Sequence, residues 1–179
     1  NIIINNKKVI FVSGHFANYE LMSMEITKRN IKLATIYRPL NNFFLNPLME
    51  FLREKYVCKN QIKKGINGVR ESIEYIKKNY SIALMIDQRV SEGEKIDFFD
   101  RPAFTSTLPA QLAMKFNLDI VPVYIERDQN DNFTIEFKDR INPSNFENKF
   151  ILTKELNNVL EKMIIKNPNQ WIWTHDRWK

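Results

Sequence analysis

A histidine and a glutamate follow a short apolar run near the start of the chain. Residues 9–12, Val-Ile-Phe-Val, have the composition of a strand buried on both faces, and Gly14 lets the backbone turn sharply after it. His15 then lies at the carboxyl end of that strand. Because ligands bind in the crevice outside the carboxyl ends of strands in open α/β sheets, this position makes His15 a candidate active-site residue.

Glu20 follows His15 with four residues between them. On one continuous helix this spacing would put the two side chains roughly 140° apart. We therefore expect His15 in the turn and Glu20 in the first turn of a helix over residues 18–28, with Asn18 available to cap it. The Glu20 carboxylate would bond one ring nitrogen, leaving the other free to take a proton from a hydroxyl. The alternative is a loop histidine that caps backbone carbonyls beside an ordinary first-turn glutamate.

An arginine follows the next apolar run. Residues 31–36 have the composition of a strand, and Arg38 comes directly before Pro39, which biases the arginine away from helical conformation. We expect Arg38 in a strand-exit loop near His15. A guanidinium there suits a phosphate or a developing oxyanion, and an ordinary surface arginine is the alternative.

A third apolar run, residues 81–86, ends at Asp87 and Gln88. Asp87 could bond Arg38 or orient the catalytic turn, and Gln88 could donate to a substrate oxygen. A helix-capping aspartate is the competing interpretation. Because each polar group follows a strand-like run, we predict that His15, Arg38 and Asp87 emerge at the same edge of one sheet.

Residues 14–20, Gly-His-Phe-Ala-Asn-Tyr-Glu, resemble the Gly-His-x-Gly-Asn-Trp-Glu signature of the late lipid A acyltransferases, within the HX4D/E glycerolipid acyltransferase superfamily. Further segments occur in that family's order and approximate spacing: residues 37–39, 87–88, 98–103 and 170–173, His175, and residues 177–179. The sequence departs from the family pattern at Ala17 and Asp100, which are usually glycine, at Tyr19, which is usually tryptophan, and at Leu108.

The resemblance implies a cofactor-free acyltransferase. His15 and Glu20 would form the general-base dyad that moves a fatty acyl chain from an acyl-carrier protein thioester to a hydroxyl of a lipid A precursor. Arg38 would neutralise substrate phosphate or oxyanion, and Asp87, Gln88 and Asn18 are the further candidates for substrate binding. Another glycolipid or glycerolipid acceptor is an open alternative. The resemblance also implies the cytoplasmic face of a bacterial inner membrane. It further implies an N-terminal membrane-anchoring region, which we expect to be missing from the sequence given.

Composition favours one domain over residues 1–179. Strand-like runs that alternate with helical patterns predict an α/β fold, in which a mostly parallel or mixed central sheet is flanked by helices. The chain has 179 residues, of which 44% are hydrophobic and 27% charged. No apolar run approaches the roughly 20 residues of a membrane span. Cys58 stands alone, which excludes an internal disulfide, and one cysteine with two histidines is too few for a zinc site. We expect no metal.

The net charge of +6 favours anionic partners: an anionic membrane surface, a phosphorylated glycolipid, an acidic carrier protein or nucleic acid. A basic nucleic-acid-binding module is thus an alternative of another class. The sequence has no RNP-like or helix-turn-helix signature, and its basic residues are dispersed, so nucleic acid is the less favoured partner.

Apolar periodicity predicts a helix over residues 41–55 with Phe44, Leu48, Phe51 and Leu52 on one face. The aromatic cluster at residues 43–45 is most simply core, although it could line an acyl-chain groove or touch lipid. We expect an irregular functional stretch over residues 96–104.

The C-terminal half adds strands at residues 120–126 and 133–137, joined by a hairpin-like turn, which makes the sheet mixed. Pro122 argues for an edge position or a strand start in the first of them. Trp171 and Trp173 are expected in the core, although tryptophans can also anchor a chain at a membrane interface.

Overall fold

The computed structural model describes residues 7–173 and 176–179. His175, one of the motif residues, lies outside them. The strands are β1 (Ile10–Ser13), β2 (Leu33–Tyr37), β3 (Asn60–Lys63), β4 (Ser81–Met85), β5 (Glu94–Phe98), β6 (Arg101–Thr105), β7 (Ile120–Arg127) and β8 (Phe133–Phe137). The α-helices are α1 (Glu20–Lys28), α2 (Leu45–Tyr56), α3 (Ile66–Lys77), α4 (Leu108–Phe116) and α5 (Lys149–Lys166). Short 3₁₀ turns occupy Pro143–Asn145 and Pro168–Gln170.

The main sheet has six strands in the order β3-β2-β4-β1-β7-β8. Strand β2 pairs in parallel with both β3 and β4, whereas β7 and β8 are antiparallel, with Val123 opposite Phe137. Strands β5 and β6 form a separate antiparallel hairpin. The prediction of an α/β fold with a mixed sheet and flanking helices is confirmed.

The chain divides into two compact units. The first comprises Asn1–Ile10 and Glu20–Leu84. In it, α1 packs on β2, α2 on β3, and α3 on both strands. Its core is formed by buried apolar side chains of the strands and of α1, such as Met22, Ile26, Leu33, Ile62 and Ile82.

Gly68 lets α3 approach β3 closely. A Cβ added at this residue would lie 2.1 Å from the Lys63 carbonyl oxygen, so a larger side chain would push the helix away. Strand β3 itself was not predicted. Its sequence, Asn-Gln-Ile-Lys, buries only Ile62 and therefore carries little apolar signal.

The second unit comprises Phe11–Tyr19 and Met85–Lys179. Here α5 packs against the β5–β6 hairpin and against α4. The apolar side chains that α5 buries, Leu152, Leu156, Leu160, Met163 and Ile164, recur at the helical period that the sequence predicts. Asn148 begins this helix by accepting hydrogen bonds from the backbone N–H groups of Phe150 and Ile151.

One prediction about strands needs correction. Residues 96–104 were expected to be irregular, but they form most of the β5–β6 hairpin. The hairpin escaped prediction because its turn residues, Phe99 and Asp100, lack the usual Asn-Gly or Asp-Gly signature, although both have positive φ. Pro122 lies near the start of β7, as predicted, but β7 is an interior strand and not an edge.

Two predictions about the core are also wrong. The aromatic cluster at residues 43–45 is not part of the core, and no residue of α2 is buried. The Phe43 and Phe44 side chains at its start are 85% and 89% exposed. Trp173, expected in the core, is 63% exposed, whereas Trp171 is half-buried.

Asp100 stands in the left-handed region, with φ +55°, where a glycine costs less than any L-residue with a side chain. We predict that Asp100→Gly raises the free energy of unfolding by about 0.5–1 kcal/mol, measured by urea denaturation. The matched control is Asp97→Gly, an exposed aspartate within β5. There the substitution should cost about 0.5–1 kcal/mol, since glycine weakens a strand interior. Equal effects at the two positions would contradict this account of the turn.

Candidate active site

The residues after β1 form a tight turn that presents His15. The Phe16 N–H donates to the Gly14 carbonyl at 2.9 Å, and the Phe16 ring is fully buried against Tyr124, with 5.2 Å between ring centroids. A Cβ at Gly14 would lie 2.8 Å from the Phe16 ring and 3.0 Å from Leu160. A side chain at this position would force the buried Phe16 ring to shift, so close packing favours glycine. The buried Phe16 ring thus fixes the position of the turn.

Residues 170–172, near the C-terminus, hold the same turn through backbone hydrogen bonds. The Ala17 N–H donates to the Gln170 carbonyl and the Ile172 N–H donates to the His15 carbonyl, each at 2.8 Å. Phe16 and Trp171 form an antiparallel bridge between these two bonds. Residues about 155 positions apart in sequence thus form a short piece of β-structure, which fixes the backbone of His15.

Ala17 adopts φ +43° within this piece. The resemblance gives glycine as the usual residue at this position and at Asp100, and the structure places both in the left-handed region. The chain therefore keeps the backbone conformation that a glycine would favour while carrying a Cβ at both sites.

His15 is bonded to Asp87. The imidazole Nδ1 lies 2.7 Å from Asp87 Oδ1, and the His15 backbone N–H donates to Asp87 Oδ2 at 2.9 Å. The Asp87 side chain is 1% exposed and that of His15 is 16% exposed. Within the described residues, His15 Nε2 has no hydrogen-bond partner. With Nδ1–H donating to the carboxylate, Nε2 carries the free lone pair of the neutral ring.

Asp87 also accepts a bond from Trp171, whose Nε1–H donates to Oδ2 at 2.9 Å. Burial by itself would raise the pKa of Asp87, but the bonds from His15 and Trp171 and the charge of the imidazolium outweigh it. The pKa of this carboxyl is therefore lowered. Asp87 is a buried anion whose two oxygens are both held by donors.

Arg177 fixes the chain directly after Asp87. This fully buried guanidinium donates through Nη1 to the carbonyls of Gln88 (2.9 Å) and Phe104 (2.6 Å), and through Nη2 to the Thr105 hydroxyl (3.0 Å). Burial lowers the pKa of Arg177 to about 10, against the opposing effect of the Asp87 charge. Arg177 thereby ties the β4 exit to the β5–β6 hairpin. Sequence reasoning noted this arginine only as part of a motif and gave it no role.

Glu20 does not supply the bond to His15 Nδ1 that its spacing suggested. Its Oε1 pairs with Arg53 of α2, with both Nε and Nη2 at 2.8 Å. The imidazole Nδ1 is bonded to Asp87 instead. The reason is that Glu20 begins α1, where a basic partner from a neighbouring helix of the first unit reaches it. The role of Asp87 in orienting a catalytic turn stays a prediction, and its two bonds to His15 are the observation that supports it.

The other predicted site residues make few contacts. Asn18 is exposed and its side chain bonds none of the described residues, so the expected cap of α1 is not formed. Arg38, in the first unit, is exposed one residue after β2, without an ion pair to the described residues. The Gln88 side chain is half-buried and likewise makes no hydrogen bond within the described chain. Their binding roles stay predictions.

The described part of the chain groups no three histidine, cysteine or acidic side chains that could hold a metal ion. None of its helices is both long enough and apolar enough to cross a bilayer. The turn itself presents the His15 imidazole, the buried Asp87 carboxylate and the hydrogen-bond donors that hold it.

The fold of the chain is similar to that of a protein whose crystal structure is known. The chain resembles the crystal structure of the 1-acyl-sn-glycerophosphate (LPA) acyltransferase PlsC from Thermotoga maritima, with a TM-score of 0.59 and 16% identity, over 92% of this chain and 68% of that one. At this identity the likeness shows a shared fold. No protein of curated function matches the sequence significantly.

The chain belongs to the bacterial lipid A biosynthesis acyltransferase family, whose sequence profile matches residues 3–179. The predicted resemblance is thus confirmed, and the chain is an acyltransferase. The family match sets aside the alternative of a nucleic-acid-binding module.

The lowered pKa of Asp87 makes stability depend on pH in a definite direction. Its contribution is present above the ordinary aspartate pKa of about 3.9 and is lost as the pH falls through the lower folded-state value. We predict that Asp87→Asn costs about 1.5–3 kcal/mol of unfolding free energy near pH 5, and that this cost shrinks steadily toward pH 3.

Urea denaturation of wild type and variant across this pH range measures the difference. Glu20→Gln serves as the control, since it makes the same change at a half-exposed ion pair and should cost no more than about 1 kcal/mol. A cost of Asp87→Asn that stays constant or grows as the pH falls would contradict the assignment of Asp87 as a buried anion.

Proposed function

We propose that the chain transfers a fatty acyl group from an acyl-carrier protein thioester to a hydroxyl of a lipid A precursor, at the cytoplasmic face of a bacterial inner membrane. His15 is the general base. The observation that carries this proposal is the His15 Nδ1–Asp87 Oδ1 bond of 2.7 Å, which leaves Nε2 to accept a proton. Membership of the lipid A acyltransferase family supports the choice of acceptor.

The reaction needs one proton moved twice. Nε2 takes the proton of the acceptor hydroxyl as its oxygen attacks the thioester carbonyl carbon. The tetrahedral intermediate then expels the thiolate by cleavage of the C–S bond, and the imidazolium returns the proton to the sulfur. Asp87 supports the imidazolium while it exists and fixes the productive tautomer.

Asp87 is therefore our candidate for the carboxylate that works with His15, in place of the Glu20 that the HX4E spacing suggests. Glu20 is left as a positioning residue that holds Arg53, and a direct catalytic part for it remains only the prediction made from spacing. Arg38 is proposed for substrate phosphate or the oxyanion, since its guanidinium is exposed and forms no ion pair with the described residues. Gln88 is proposed as a donor to a substrate oxygen.

A glycerolipid acceptor is the second candidate. It is supported by the fold shared with PlsC, described as acting on 1-acyl-sn-glycerophosphate. Both acceptors offer a hydroxyl near a phosphate, so the proposed roles of His15 and Arg38 hold for either. The two differ in the acylated product, which mass spectrometry resolves.

The test is acyl transfer followed by mass spectrometry, with acyl-carrier thioester as donor and either a lipid A precursor or a lysophosphatidic acid as acceptor. We expect acylated lipid A precursor from wild type. His15→Ala should lower the rate by about 10²- to 10⁴-fold, because it removes the general base. Asp87→Asn should lose most of the same factor, and the double variant should be scarcely slower than His15→Ala, since groups acting as one unit are not additive.

Glu20→Gln is the matched control, because it changes carboxylate to amide as Asp87→Asn does. We expect it to lose much less activity than Asp87→Asn. If Glu20→Gln lost as much acyl-transfer activity as His15→Ala while Asp87→Asn stayed nearly normal, the His15–Glu20 dyad predicted from spacing would be correct. Acyl transfer to lysophosphatidic acid, with none to the lipid A precursor, would show that the acceptor is a glycerolipid. The proposed role of His15 as general base would be unaffected.

A further inference from the structure

Helix α2 turns its polar residues toward its own unit. Arg53 bonds Glu20 at 2.8 Å, and Glu50 accepts from the Tyr37 hydroxyl at 2.5 Å and from Lys63 Nζ at 3.1 Å. These contacts replace the apolar packing by which a surface helix normally attaches to a domain. The helix is amphipathic, but it is bound to the protein through its polar side.

Its apolar side is turned outward. We use the name aromatic face for the exposed apolar side chains on α2 and at the two residues before it: Phe43, Phe44, Leu45, Leu48, Phe51, Leu52 and Tyr56. Phe44, Leu48, Phe51 and Leu52 follow the helical spacing of a single stripe. A contiguous stripe of this kind differs from the single exposed apolar residues of an ordinary surface, and it marks an interaction site.

The dimensions and the flanking lysine suit a lipid interface. Twelve residues of helix extend about 18 Å, too short to cross a bilayer core of about 30 Å but suited to lying in the plane of its surface. Lys55 lies within the stripe, with Nζ 5.5 Å from the Phe51 ring centroid and 5.1 Å from that of Tyr56. A lysine whose ammonium stays beside aromatic rings can meet lipid phosphate while the rings enter the headgroup layer.

Charge is concentrated in the unit that carries this face. The first unit has 14 basic and 6 acidic residues, a net charge of +8, whereas the second has 13 basic and 15 acidic residues, a net charge of −2. Between Glu54 and Glu71 the sequence has five basic residues and no acidic one. The excess of positive charge therefore belongs to the unit with the exposed aromatic face, which is the combination that binds an anionic bilayer.

We propose that the aromatic face of α2 docks the protein on an anionic lipid bilayer, with Phe43 and Phe44 inserted among the headgroups and Lys55 at the phosphate level. This docking proposal rests on the proposed function in one respect, namely that the acceptor is a membrane lipid. It assigns the membrane contact to a surface of the acyltransferase chain itself. A second copy of the chain would instead bury the same face in a dimer.

The experiment is sedimentation of the full chain with vesicles of phosphatidylcholine, with or without about one third phosphatidylglycerol. We expect binding to the anionic vesicles that weakens at high salt. Phe43→Ser with Phe44→Ser should lower the partition coefficient by about tenfold or more, because two large apolar side chains are removed from the interface. The matched control is Phe150→Ser with Ile151→Ser, an adjacent apolar pair on α5 with each residue 45% exposed, which should bind as wild type does.

Vesicle binding is measured without any acyl transfer, so its outcome is independent of the activity assay. His15→Ala should bind vesicles as wild type does. Vesicle binding by a wild-type protein that transfers no acyl chain would refute the proposed function and leave the docking proposal in place. Equal loss in both serine pairs, or no loss in the Phe43 and Phe44 pair, would overturn the docking proposal. A wild-type dimer in lipid-free solution that the Phe43 and Phe44 substitutions convert to monomer would also overturn it, in favour of a second copy.

Discussion

A carboxylate buried almost completely from water is the constraint on which the active-site turn depends. Asp87 is 3% exposed, and an isolated charge at such a site would be expensive. Three donors offset that cost: the His15 imidazole, the His15 backbone N–H and the Trp171 indole. Each donor comes from a segment that must be held in place, so the burial of one charge imposes order on the turn, the β4 exit and the C-terminal segment together.

The order has consequences for chemistry. Two of the three bonds on Asp87 come from the same residue, so both the backbone and the ring of His15 are fixed relative to one anion. A general base works best when its lone pair is directed and its cation is supported, and both conditions follow from this arrangement. Trp171 and Arg177 contribute without any proposed contact with substrate, since the first holds the carboxylate and the second holds the backbone beside it.

Much of this arrangement can be predicted from sequence. Apolar runs that end in polar residues place His15 and Asp87 after strands, and parallel pairing then makes their meeting plausible. The hydrogen-bond partner of His15 could not be predicted from spacing. Glu20 forms an ion pair with Arg53, which is 33 positions away in sequence, and local spacing gives no sign of such a contact. The β5–β6 hairpin was missed because Phe99 and Asp100 adopt positive φ without the glycine that signals it. Periodicity predicted the two sides of α2 but not which one faces solvent, since that depends on hydrogen bonds made by Glu50 and Arg53.

The bond between His15 Nδ1 and Asp87 Oδ1 predicts that the imidazole of His15 is held in the tautomer with the proton on Nδ1. Nitrogen-15 NMR of the histidine rings tests it directly, and the chain has only two histidines, so His175→Gln isolates the signals of His15. We expect that neutral His15 has a protonated Nδ1 and an unprotonated Nε2, that Glu20→Gln leaves this pattern unchanged, and that Asp87→Asn alters it. A proton found on Nε2 in the wild-type ring, or a pattern altered by Glu20→Gln and not by Asp87→Asn, would show that Asp87 does not set the tautomer of His15.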